Sequence, residues 1–191
     1  MESLKGEDWA ALKDQSLRNF IYLAFGFPPR AGSGIQRAVR FAQFLPENGW
    51  NPIILTVSRW GNDISDPLWE QEIPSWLKIY RVPSLDPMRV MAALRSGGNT
   101  GGAVSSPSGG IKSLLPDLLK KIYHSISIPD HAVWWALPAV IAGLALKIRF
   151  SPELIFTTCG PYGTAPAGYW LKRLTGLPWV AEFRDPWTMH T

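Results

Sequence analysis

Residues 26–37, Gly-Phe-Pro-Pro-Arg-Ala-Gly-Ser-Gly-Ile-Gln-Arg, carry the strongest chemical signal in the chain. They link an apolar, strand-like run at 20–25 to a helical pattern of Ile35, Ala38, Val39, Ala42 and Leu45. A strand that enters a helix through glycines leaves backbone N–H groups free at the helix N-terminus, a geometry that receives phosphate or another anion. The same glycines also suit a turn that only needs φ > 0. Arg37 and Arg40 fall in the first turns of this helix, where the macrodipole is already positive. They are unfavourable there unless a carboxylate or a bound anion faces them. Together with Arg30 on the turn, they point to an anionic ligand.

Two further turns have suitable chemistry. Cys159-Gly160-Pro161-Tyr162-Gly163-Thr164 is a second glycine turn leading into a helical pattern. Arg184 and Asp185, followed by Pro186 and Trp187, place opposite charges side by side at a strand exit. An Asp so placed can orient a hydroxyl or accept its proton, whereas an Arg–Asp pair can equally just pin the turn.

Several chemistries are excluded. A dinucleotide fingerprint requires a small residue where Arg37 stands, and an acidic residue closing the second strand; residues 52–57 are followed instead by Ser58, Arg59 and Trp60. No Gly-Lys-Ser/Thr follows the glycines, which removes a P-loop. Cys159, His124, His131 and His190 lack metal-ligand spacing, so no metal site is expected. The single cysteine permits no internal disulfide and fits a reducing compartment, so a cytoplasmic location is expected.

At 191 residues, 46% apolar and 18% charged, the chain suits one domain with a proper core. The net charge of +4 permits an acidic ligand or an anionic membrane surface. No dense basic block of the kind nucleic-acid binders show is present, so no nucleic-acid partner is expected. The acidic residues within 1–17 exclude a signal peptide. The longest apolar run, 132–146, falls short of the ~20 residues that span a bilayer. It reads as a buried core helix. Ten tryptophans are many for this length, and some should lie at a surface.

The elements that must position these turns alternate. Strands are expected at 20–25, 52–57, 77–82, 154–158 and 179–183, with helices at 34–48, 138–149 and 164–175 and a loop through 60–74. Gly49 is expected to end the first helix, and Thr164 to cap the last. The pattern predicts an α/β fold, Rossmann-like and doubly wound around a mostly parallel sheet, over 18–191 after an N-terminal extension. Residues 95–110 read as a flexible Gly/Ser-rich insert. Residues 111–126 carry Leu114, Leu115, Leu118, Leu119 and Ile122 beside Lys112, Lys120 and Lys121. They suit a core-facing helix with a basic outer side, or an amphipathic helix on an anionic membrane.

Taken together, three stretches resemble the N-terminal, acceptor-side domain of GT-B glycosyltransferases, and family 4 in particular. They are Phe-Pro-Pro-Arg-Ala-Gly-Ser-Gly-Ile-Gln-Arg-Ala, Phe-Ala-Gln-Phe-Leu-Pro-Glu-Asn-Gly-Trp and Leu-Pro-Trp-Val-Ala-Glu-Phe-Arg-Asp-Pro-Trp-Thr. The similarity covers roughly 18–188. It implies retaining, metal-free transfer of a sugar from a nucleotide-sugar donor, with no other cofactor. The acceptor would be a glycan or a lipid-linked molecule, as in bacterial surface polysaccharide synthesis. It further implies that Gly32, Ser33 and Gly34 approach the donor diphosphate, with Arg37 near the anion. Gly160, Tyr162, Gly163 and Thr164 would line the acceptor side, and Arg184 and Asp185 would stand at the cleft edge as candidate catalytic groups. Peripheral contact with the inner face of an anionic membrane is a further expectation. Relatives often carry a His soon after the fourth strand, where this chain has Ala165 and Pro166, so no catalytic His is assigned. The family's donor-binding Glu-x7-Glu pair does not occur in these residues, and the chain is expected to be part of a longer enzyme. The competing reading is a non-catalytic Rossmann-like binding or regulatory module. A dehydrogenase is disfavoured by Arg37.

Overall fold

The structure is a computed structural model that describes residues 17–58, 66–88, 123, 125 and 127–183. Five parallel strands form one sheet: β1 (Arg18–Ala24), β2 (Trp50–Val57), β3 (Lys78–Val82), β4 (Leu154–Cys159) and β5 (Trp179–Phe183). Their order is β3-β2-β1-β4-β5, with every neighbouring pair parallel. This is a Rossmann-like α/β sheet, and its strand order reverses direction between β1 and β4. The central strands read as continuous apolar runs because both faces are covered. Ile21, Leu23, Ile53, Ile54, Leu55 and Ile155 are fully buried.

Alternation along β1 divides the core in two. Phe20, Tyr22 and Ala24 pack with Ile35, Ala38, Val39 and Ala42 of α1 (Ser33–Phe44). Ile21, Leu23 and Phe25 face the opposite layer. That layer holds α3 (Val133–Phe150) and α4 (Ala165–Thr175). α4 lies close to the sheet because Gly168 has no side chain. A Cβ there would meet Trp179 Nε1 at 2.4 Å and Thr157 Oγ1 at 2.5 Å.

Most expected elements are present, with instructive differences. α1 ends at Phe44 and is continued by a 3-10 turn, Leu45–Asn48, closed by Gly49 at φ 78°. The stretch expected as loop contains a short helix, α2 (Pro67–Gln71), whose Asp66 side chain accepts from Leu68 N–H at 3.0 Å. α3 begins at Val133 rather than at Pro138. Pro138 has no N–H to offer the Trp134 carbonyl, and Leu85 N–H donates to it instead at 3.1 Å. α3 is also less buried than expected, since Leu137, Ile141 and Ile148 are exposed. The sequence segments 1–16, 95–110 and 111–122 lie outside the described residues.

Candidate functional site

A cleft of about 340 Å³ opens at the carboxyl ends of β1 and β4, where the strand order reverses. Adjacent crossovers leave on opposite faces there, so the loops part and leave a crevice. One wall is the turn after β1 together with the first turn of α1, including Arg30, Gly32, Gly34 and Arg37. The other is the turn after β4, with Thr158, Gly160 and Pro161, and His131 just ahead of α3.

The first turn is held from below by its own carbonyls. Thr56 Oγ1 donates to Phe25 O at 3.0 Å, Arg81 Nη2 to Pro28 O at 2.6 Å, and Asp66 N–H to Pro29 O at 2.9 Å. Burial pulls the Arg81 guanidinium below its usual range, with Glu70 opposing the change. Gly32 caps α1 with φ 149° and ψ 150°, a region essentially reserved for glycine. No side chain caps this helix, and its first turn carries no acidic residue. The N-terminal N–H groups are therefore presented to the cleft without a side-chain acceptor from the cap.

Phe25 organises the charged groups. Its ring is buried, with the Arg30 guanidinium 5.4 Å above it and the His131 ring edge-on at 5.7 Å. Trp135 supports it from α3, also edge-on at 5.7 Å. One aromatic platform thus places a guanidinium and an imidazole beside an uncapped helix N-terminus. Such a set can hold an anion and stabilise charge developing on it.

The expected residues divide. Gly32, Gly34, Arg37 and Gly160 line the cleft. Ser33 opens α1 between the two glycines. Arg37 is ion-paired with Glu182 of β5, and Arg40 with Glu72 at 3.0 Å. The carboxylates that basic residues near a helix N-terminus require are thus supplied by the protein. Gly163 and Thr164 are buried and committed to structure. Gly163 N–H donates to Asp130 Oδ2 at 3.0 Å, and Thr164 Oγ1 donates to Pro161 O at 2.8 Å and Thr158 O at 3.2 Å. Thr164 therefore does not cap α4 through its side chain; a 3-10 turn, Tyr162–Thr164, leads into that helix. Tyr162 stacks on Phe183 at 6.4 Å, beyond the cleft lining. Arg184 and Asp185 lie outside the described residues.

Sequence reasoning missed His131 and Asp130. His131 is remote in sequence from the glycine turns, and only the packing of α3 brings it to Phe25. Asp130 could have been suspected from its place before a helix. Its Oδ1 accepts from Ala132 N–H at 2.8 Å while Oδ2 takes the Gly163 N–H, tying the start of α3 to the turn after β4.

Two buried groups nearby are held neutral. Burial pushes the Cys159 thiol from 9.0 up to about 11, with the Thr164 hydroxyl opposing and Glu182 adding to the rise. Burial, reinforced by Glu182 and opposed by Arg37, raises the Tyr22 phenol as well. Neither can act as a nucleophile or base near neutrality.

The chain matches no protein-family model and no curated protein. Among solved structures it is similar to the glycosyltransferase SsfS6 of Streptomyces sp. SF2575, crystallised with thymidine diphosphate. The identity is 18% and the TM-score 0.46, over 86% of this chain and 38% of that one. The chain thus spans well under half of that enzyme's length. It is also similar to the C-terminal domain of PF1911 hydrogenase from Pyrococcus furiosus. There the identity is 12% and the TM-score 0.44, over 87% of this chain and 91% of that domain.

Proposed function

We propose that the chain forms the acceptor-side part of a retaining glycosyltransferase. In this reading it moves a sugar from a nucleotide-sugar donor to a glycan or lipid-linked acceptor in bacterial surface polysaccharide synthesis. The observation that carries the reading is the cleft at the β1/β4 switch point, where an uncapped helix N-terminus meets Arg30. The three sequence stretches that resemble GT-B enzymes include the turn that builds this cleft.

The chemistry assigned to these residues is electrostatic. As the glycosidic bond to the donor breaks, negative charge accumulates on the departing diphosphate. The backbone N–H groups of Ser33 and Gly34 would receive it, and the Arg30 guanidinium would balance it. Arg37 joins them to the extent that Glu182 shares it. The turn containing Gly160 would face the acceptor. Arg184 and Asp185 are proposed for the cleft edge, where the carboxylate would orient the attacking hydroxyl. The location proposed is cytoplasmic.

Arg30→Ala tests the reading through binding of inorganic pyrophosphate, followed by equilibrium dialysis. Removing one charge-assisted contact worth roughly 1.5–3 kcal/mol should weaken binding by about 10- to 100-fold. Unchanged affinity, with the fold intact by circular dichroism, would mean that the cleft does not hold the diphosphate.

A further inference from the structure

Among the described residues that line the cleft, His131 is the one whose charge changes near neutrality. Arg30 and Arg37 stay charged, and the rest of that lining does not ionise. Cys159 and Tyr22 nearby are held neutral by burial.

The place of His131 is set from two sides. Its ring stands edge-on to Phe25 at 5.7 Å, and Phe25 also carries the Arg30 guanidinium at 5.4 Å. The neighbouring Asp130 accepts the N–H groups of Ala132 and Gly163, which fastens the start of α3 to the turn after β4. The approach there is close, since a Cβ on Gly163 would stand 2.5 Å from Asp130 Oδ1. An exposed imidazole is thus held at the junction of the two walls, on the ring that positions Arg30.

The charge favoured at this position depends on what fills the cleft. Among the described residues, the charged groups on the surrounding elements are Arg30, Arg37 with its partner Glu182, Arg81 beneath the first turn, and Asp130. Glu182 is ion-paired with Arg37, and both Asp130 oxygens accept backbone N–H groups. α3 adds basic residues only in its last turn, Lys147 and Arg149. His131 itself stands just ahead of α3 and faces the start of α1, so two positive helix ends reinforce the arginines. In the empty cleft these surroundings disfavour an imidazolium, and the ring is neutral at pH 7. A diphosphate reverses the balance, because its negative charges enter the space that His131 lines.

We infer that His131 is a proton-coupled ligand of the diphosphate, taking up a proton as the anion enters and pairing with it as an imidazolium. This role rests on the cleft's being a diphosphate site, and adds to that reading a residue and a pH dependence. Linkage fixes the sign: the anion raises the proton affinity of His131 by the same factor as protonation raises anion affinity. Binding is therefore tightest at pH values below the ring's titration in the empty cleft, and weakens as pH rises through its titration in the loaded one.

Titration of the His131 imidazole by NMR, in the full chain with and without inorganic pyrophosphate, tests this directly. His124→Gln and His190→Gln assign its resonance. Saturating pyrophosphate should raise the midpoint by about one pH unit, a gain of about tenfold in proton affinity. Equilibrium dialysis of wild type and His131→Gln at pH 6 and pH 8 reads the reciprocal effect. Both proteins meet the same ionic forms of pyrophosphate, so the ratio of their affinities isolates the ring. Wild type should bind about five- to tenfold more tightly than the variant at pH 6, and about equally at pH 8. A midpoint left in place although pyrophosphate binds saturably, or an affinity ratio equal at the two pH values, overturns the role of His131 and leaves the diphosphate cleft standing. Absence of wild-type binding at millimolar pyrophosphate overturns the cleft reading and this role together.

Discussion

Asp130→Ala should cost more stability than its position ahead of a helix suggests. The carboxylate accepts two backbone N–H groups from different parts of the chain, Ala132 at 2.8 Å and Gly163 at 3.0 Å. Gly163 is buried, so its N–H cannot turn to water when the carboxylate is removed. A buried donor left without an acceptor costs about 1–3 kcal/mol, and the N–H of Ala132, which is equally buried, loses its acceptor as well. The sum is about 2–4 kcal/mol, since the two losses share one side chain. For a domain of this size that lowers Tm by roughly 5–15 °C. Asp130→Asn keeps one acceptor oxygen and should lose about half as much. Urea unfolding followed by tryptophan fluorescence reads both, and the m-value should stay constant. Asp130→Ala should also partly relieve Gly163→Ala, because the added Cβ would otherwise lie 2.5 Å from Asp130 Oδ1. The clash with Val133 N at 2.4 Å remains, so the two changes should be non-additive rather than neutral together. A loss below about 0.5 kcal/mol for Asp130→Ala would show that the carboxylate does not bind the two segments together.

Two more outcomes follow from packing and burial. Gly168→Ala should destabilise by several kcal/mol, on the order of the larger overpacking penalties, because Trp179 and Thr157 are fixed by their own 3.0 Å hydrogen bond. Wild-type-like urea unfolding would refute the close approach of α4. Cys159 should resist thiol reagents at pH 7.5 in the folded chain and react once it is unfolded. Because folding raises this pKa from 9.0 to about 11, its contribution to stability is intact below about pH 9 and falls as pH rises towards 11. Cys159→Ala should reduce that alkaline loss, and an unaltered profile would remove Cys159 as a source of it.

Much of the fold could be read from the sequence because local and global signals agree. β1 and β2 carry unbroken apolar runs, residues 20–24 and 52–55, as strands covered on both faces require, and Gly49 and Gly176 mark helix ends with left-handed backbones. Errors arose where a distant partner overrode a local rule. Pro138 has the appearance of a helix start, but Leu85 relieves its missing hydrogen bond and the helix extends back to Val133. Thr164 has the type and place of a cap, yet its hydroxyl is taken by the carbonyls of Thr158 and Pro161. At the site, the glycine turn was legible because Gly32 adopts a backbone that few other residues tolerate. Arg37 was legible as a misplaced charge, but its partner Glu182 was not, since only the β4–β5 register brings that carboxylate across. His131 gave no local signal, because tertiary packing against Phe25 brings it to the cleft.

The central claim is that the β1/β4 cleft receives the diphosphate of a nucleotide sugar. Residue-resolved amide shifts of the full chain during titration with inorganic pyrophosphate test it most directly. The account predicts saturable shifts concentrated at Gly32, Ser33, Gly34 and Gly160, weakened in Arg30→Ala. Saturable shifts confined to other surfaces, or none at millimolar ligand, would contradict it.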